Sequence, residues 1–156
     1  MEQVIKHSIA LIEDDPIVRQ TTAQWLQLAG FDITTFDNGQ AALAEITQHK
    51  FMAIISDVRL PGINGLELLQ QVKQQAPGIP VILITGHGDV DMAVKALQQG
   101  AYDFIEKPFE PERLAHTVNQ AILPYIESQK WQSRQAYLQR LEGCLLYTSP
   151  SPRDDR

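Results

Sequence analysis

The chain has 156 residues, 44% hydrophobic and 21% charged, with a net charge of -6, the usage of one ordinary globular domain that needs no metal or disulfide staple to fold. Residues 1–124 carry 15 acids against 8 bases, so no basic stripe is available to grip nucleic acid. A single cysteine, Cys144, excludes a disulfide framework and a cysteine-built zinc site, and no apolar run reaches the roughly 18 residues of a membrane span.

The N-terminus, Met1 to His7, lacks the charged-then-apolar layout of a secretion signal, and the expectation is a cytoplasmic protein. Ser8–Ile12 is then an apolar run ending in acids, the first predicted strand. Asp15-Pro16 opens a helix, Asp as cap and Pro in the first turn, with Val18, Thr22, Trp25, Leu26 and Ala29 on one face and Gly30 at its end. Phe31–Phe36 is a short second strand, followed by a helical stretch over 40–48 carrying Leu43 and Ile46. Phe51–Ile55 leads into Ser56-Asp57 as the third strand, and Leu66, Leu69 and Val72 mark the third helix. Pro80–Ile84 runs into Thr85-Gly86; Met92 to Leu97 form a fourth helix closed by Gly100. Tyr102–Ile105 is the fifth strand, and Glu110-Pro111 begins a helix with Leu114, Val118 and Ile122 at spacing of four.

Unalternating apolar runs suit strands buried on both faces. Three such runs and two further short strands, alternating with five helices, predict an α/β fold, a doubly wound five-stranded parallel sheet of the flavodoxin-like kind. Pro124 is expected to kink or break the last helix. Residues 125–143 then read as a Gln-rich linker helix or the start of a coiled coil, so that 1–124 form the domain proper.

In such sheets ligands bind beyond the carboxyl ends of the strands, where the strand order reverses. Those ends carry Glu13 and Asp14, Asp57, Thr85, and Lys107-Pro108. Each alone has a plain reading: a solvated turn, a strand-end acid, a flexible loop in which His87 is simply exposed, a proline turn. Asp15 reads as a helix cap. Together, three carboxylates, a hydroxyl and an ammonium suit Mg²⁺ and phosphoryl transfer to a carboxylate nucleophile, Thr85 and Lys107 pairing with phosphoryl oxygens. An aspartate-nucleophile phosphatase wants a second acid two residues after the nucleophile, where Arg59 stands. A flavodoxin-like nucleotide or flavin domain wants a phosphate loop after the first strand, where Glu13-Asp14-Asp15-Pro16 would repel one.

Leu11-Ile12-Glu13-Asp14-Asp15, Ser56 to Gly65, Ile84-Thr85-Gly86 and Phe104 to Phe109 resemble the receiver domain of bacterial two-component response regulators. The resemblance implies Asp57 as phosphoacceptor and Glu13, Asp14, Asp57 and the backbone carbonyl of Arg59 as the Mg²⁺ shell. It implies Thr85 as switch hydroxyl, Phe104 as switch aromatic, Lys107 as the family lysine and a cis bond before Pro108. The implied partners are a sensor histidine kinase and a second copy of the chain, with DNA met only through an output domain and no membrane contact. Thr85 to Val94 with Gly100 to Phe104 is similar to receivers of nitrogen-type sigma factor activators, especially dicarboxylate-transport regulators; a stand-alone receiver or another DNA-binding branch is the alternative. Residues 144–156 resemble the translated end of a transposase-type sequencing adapter, which makes Gly143 the last expected native residue and the chain part of something longer.

Overall fold

The structure, a computed structural model, describes residues 6–86 and 88–144. His87, the first five residues and the stretch read as adapter sequence from 145 onward lie outside them. Among the described residues the order is β1 (Ser8–Ile12), α1 (Pro16–Leu28), β2 (Asp32–Phe36), α2 (Gly39–Ile46), β3 (Ala53–Asp57), α3 (Gly65–Gln75), β4 (Val81–Thr85), α4 (Val90–Gln98), β5 (Asp103–Glu106) and α5 (Pro111–Cys144). All four strand pairings are parallel and the sheet runs β2-β1-β3-β4-β5. The order reverses between β1 and β3, which puts the switch point at the ends of those two strands.

Burial explains the sequence pattern. Every residue of β3 and β4 is buried, as are four of five in β1, whereas the edge strands β2 and β5 are mixed. On one face Ala10, Ile12, Ile54, Val81 and Leu83 pack with Ala42 and Ile46 of α2, Leu68, Leu69 and Val72 of α3 and Ala96 of α4. Alternate strand residues such as Ile9, Leu11, Ile55 and Ile82 are equally buried, as are Ala23 and Leu26 of α1 and Leu114, Val118 and Ile122 of α5. A strand covered on both faces has no polar side to alternate with.

Helix ends follow local chemistry. Asp15 caps α1 by accepting from the N–H groups of Ile17 and Val18. Asn38 caps α2, and Asn64 with Glu67 forms a reciprocal capping box on α3. Gly30 and Gly100, at φ of 104° and 110°, take the left-handed position just past α1 and α4.

Of the kink or break expected at Pro124, the break is absent: α5 continues through it to Cys144, so fifth helix and linker are one helix. Pro124 removes one N–H donor, but the carbonyl left over belongs to Gln120, and both residues are exposed to water. Good helix formers on either side, such as Ala121, Leu123, Glu127 and Gln129, carry the helix across. The chain divides into two compact units between Ile122 and Leu123. In the second, Trp131, Tyr137, Leu138 and Leu141 are exposed.

Gly65 marks where the fold meets the strand ends. Its N–H donates to the Val58 carbonyl at 2.8 Å, and a Cβ there would lie 2.8 Å from both the Asp57 carbonyl oxygen and the Val58 Cα. Those are backbone atoms and cannot swing aside. Gly65→Ala is therefore expected to cost about 1–3 kcal/mol, read as a lower thermal midpoint; an unchanged midpoint would contradict this packing.

Candidate functional site

The site is built by four chain segments leaving the same edge of the sheet. Glu13 and Asp14 follow β1, Asp57 ends β3, Thr85 ends β4, and Lys107 follows β5. One carboxylate oxygen from each of Glu13, Asp14 and Asp57 can be chosen so that all three lie within 4.8 Å of one another. Glu13 and Asp57 are buried and Asp14 is exposed, so the cluster has two fixed walls and one side open to water.

Each buried carboxylate is held. Asp57 accepts from Lys107 Nζ at 3.0 Å through Oδ2 and from the Arg59 backbone N–H at 3.2 Å through Oδ1. Glu13 accepts from Lys107 Nζ at 3.3 Å and from the Asp15 backbone N–H at 3.2 Å. Lys107 is itself anchored, its backbone N–H donating to the Thr85 carbonyl at 2.7 Å, and the peptide bond between it and Pro108 is cis.

The electrostatics are unbalanced. Burial pushes the Glu13 carboxyl above its ordinary range; the Asp15 N–H pulls back, the Asp57 charge adds to the rise, and Lys107 opposes it. Burial also works against the Lys107 ammonium, yet the hydrogen bond and charge of Asp57, with those of Glu13, hold its pKa above the usual lysine value. Among the described residues one ammonium faces three carboxylates, and two unit charges at 4.8 Å, the outer limit of their spacing, repel by about 3.5 kcal/mol at an effective dielectric near 20. All-oxygen donors, crowded, partly open to water and short of positive charge, fit a hard divalent cation such as Mg²⁺.

Thr85 is fully buried, and its Oγ1 has no hydrogen-bond partner among the described residues. In register, Asp57 pairs with Ile84, so Thr85 stands one position beyond the acid on the neighbouring strand. Phe104 lies on β5 opposite Leu83 and is partly buried against the core.

Arg59 does more than its backbone suggests. Its guanidinium binds Asp89, Nε at 3.0 and 2.9 Å from the two carboxylate oxygens and Nη2 at 2.6 Å from one of them. The hydrogen bond from Arg59 lowers the Asp89 carboxyl below the usual carboxylate range. Asp89 is not recognisable from the sequence as a partner of Arg59. Its one local signal is an acid directly before a helix, which reads as a cap, and a partner 30 positions away leaves no spacing to detect.

The family model of the response regulator receiver domain matches residues 9–119. The chain belongs to that family. Its receiver domain is 44% identical over 117 residues to the transcriptional regulatory protein FixJ of Bradyrhizobium diazoefficiens, covering 75% of this chain and 57% of that protein. It is 46% identical over 114 residues to the C4-dicarboxylate transport transcriptional regulatory protein DctD of Pseudomonas aeruginosa, covering 73% of this chain and 25% of DctD. Among solved structures, the receiver domain of NtrX from Brucella abortus superimposes with a TM-score of 0.70 at 37% identity, over 73% of this chain and 97% of that one. Full-length FixJ from B. japonicum gives 0.74 at 38% identity, over 94% and 71%. The chain thus spans little more than half of FixJ and a quarter of DctD. The doubly wound sheet expected from the sequence is the fold of this receiver domain.

Proposed function

We propose that this receiver domain is the phosphoryl-accepting switch of a cytoplasmic two-component relay, with Asp57 as acceptor. The observation that carries the reading is the buried Asp57 carboxylate, tied to Lys107 and to the Arg59 backbone N–H beside two further acids. An Asp57 oxygen attacks the phosphorus of a phosphohistidine on a sensor kinase. The new P–O bond forms as the P–N bond breaks, and the imidazole leaves with the electron pair and takes up a proton. The product is an acyl phosphate.

Lys107 and the Arg59 N–H hold the attacking carboxylate in place, which is most of what phosphoryl transfer asks of a protein. Lys107 then pairs with a phosphoryl oxygen, giving up part of its hold on Asp57. Asp14, Asp57, Glu13 and the Arg59 carbonyl would hold a Mg²⁺ ion, which would supply charge neutralisation for the transferring group. Thr85 Oγ1, without a partner among the described residues, gains one by donating to a phosphoryl oxygen, and Phe104 turns into the space it leaves. The shifted α4 and β5 surface is what a downstream partner reads.

The chain is accordingly a phosphoacceptor that assists its own chemistry rather than an enzyme turning over a separate substrate. We assign residues 125–143 to a linker helix able to pair two copies, and DNA binding to a separate output domain of the sigma-factor-activator type, as in the longer relatives. A receiver acting alone through protein contact is the second reading. No helix among the described residues is long and apolar enough to cross a membrane.

Incubation with phosphoramidate and Mg²⁺ is expected to add one phosphoryl mass to the intact chain, and chelation of Mg²⁺ to suppress the addition. Uptake that ignores chelation would remove the acid cluster from the reaction.

A further inference from the structure

One residue of α1 collects the carbonyls of three successive acids in the loop that leaves β1. Arg19 donates its backbone N–H to the Asp15 carbonyl at 2.8 Å. Its side chain turns back toward the start of the helix, the direction helical side chains take. There Nη1 donates to the Glu13 carbonyl at 2.9 Å and, at the longer distance of 3.5 Å, to the Asp14 carbonyl. The arm has a fixed base: α1 begins at Pro16 under the Asp15 cap, and Arg19 is itself half-buried.

These contacts bear most on Asp14. The carbonyls of residues 13 and 14 belong to the two planar peptide units that flank it, so holding both sets the direction in which its side chain leaves the backbone. The Glu13 and Asp57 carboxylates are tied to Lys107, whereas Asp14 is exposed and is placed through its backbone. A guanidinium also holds a carbonyl more strongly than a neutral donor does.

We propose that Arg19 is a positioning residue for the divalent cation: by gripping the loop carbonyls it keeps Asp14 where its carboxylate can share an ion with those of Glu13 and Asp57. The role rests on the Mg²⁺ reading of the acid cluster given above. Groups that orient metal ligands without touching the metal are worth about tenfold to a hundredfold in affinity. Coulomb's law pulls the other way, since a guanidinium beside a cation site weakens cation binding by its charge alone. Positioning and charge therefore predict opposite signs. The contacts favour positioning: among the described residues Arg19 takes no carboxylate oxygen of the cluster, unlike Lys107, which binds one each of Glu13 and Asp57.

The test titrates Mg²⁺ into the chain and reads the dissociation constant from the backbone amide shifts of Asp14, Asp57 and Lys107. Arg19→Met keeps an unbranched, helix-compatible stem and removes the donors and the charge. It is expected to raise the Mg²⁺ dissociation constant about tenfold, the low end for a lost orienting group because the site is open to water on one side. Arg19→Lys, which returns the charge and a donor, should fall between wild type and Arg19→Met. Before Mg²⁺ is added, the amides of Asp14 and Asp15 should move in Arg19→Met while those of Ile55 and Val118 stay in place, which verifies the fold. Arg19→Gln, too short to reach the carbonyls, is expected to match Arg19→Met and replaces it if the methionine chain does not fold. A dissociation constant within about threefold of wild type, with only the thermal midpoint lowered, would leave Arg19 a purely structural residue and overturn the proposal. Tighter Mg²⁺ binding in Arg19→Met would overturn it in favour of charge alone. A wild-type chain whose amides show no saturable response to Mg²⁺ overturns the metal reading itself, and the role of Arg19 with it.

Discussion

Thr85→Ala is expected to go on taking up phosphoryl at Asp57 while losing most of the change that follows in α4. The Thr85 hydroxyl is buried without a partner among the described residues, and such a group costs about 1–3 kcal/mol relative to a satisfied one. In the proposed switch that cost is relieved only when the hydroxyl reaches a phosphoryl oxygen, so the resting state is held in a condition that phosphorylation improves. Alanine removes both the cost and its relief. The resting chain should therefore stay within about 1 kcal/mol of the parent, since the methyl lost from the core is worth a similar amount. The amide shifts that donor and Mg²⁺ induce in residues 90–98 should shrink to a minor fraction, and Thr85→Ser, which keeps the hydroxyl, should restore them. A full response in Thr85→Ala would remove Thr85 from the relay.

Lys107→Gln is expected to slow phosphoryl uptake by about a hundredfold to a thousandfold, the usual loss when one preorganised donor to a developing charge is removed. Lys107 Nζ reaches Asp57 and Glu13 at once, at 3.0 and 3.3 Å. Its removal takes away both the anchor of the nucleophile and the ammonium that, among the described residues, faces the three carboxylates. The backbone N–H that fixes residue 107 to the Thr85 carbonyl is untouched, so the fold should survive and the rate alone should fall. The measurement is the initial rate of mass gain from phosphoramidate at saturating Mg²⁺. A rate within about threefold of wild type would mean that the geometry around Asp57 does not depend on its lysine, and a donor of this kind is worth far more than that.

The sheet was legible because its inner strands are covered twice. Ile9 to Ile12, Ala53 to Ile55 and Val81 to Ile84 are continuous apolar runs, which fully buried parallel strands require. The convergence of Glu13, Asp14, Asp57 and Lys107 was legible for a related reason: each comes directly after a strand, and parallel strands all end on one edge. The continuation of α5 past Pro124 was not, because a proline's penalty is local whereas the helix is held by residues on both sides. Nor was the Arg59–Asp89 pair. Its partners meet only because β3 and β4 are neighbours in the sheet, and no periodicity along the chain records an approach between two loops. The orphaned Thr85 hydroxyl is of the same kind, since what surrounds an oxygen is a property of packing and not of sequence.

The most direct test of the account is where the phosphoryl group sits. The chain should be treated with phosphoramidate and Mg²⁺, the acyl phosphate reduced with borohydride, and the modified residue located by peptide mass mapping beside an Asp57→Asn control. The account predicts a single modified site at Asp57 and no phosphoryl mass on the Asp57→Asn chain. A phosphoryl group carried by another residue, or one retained in full by Asp57→Asn, would contradict it.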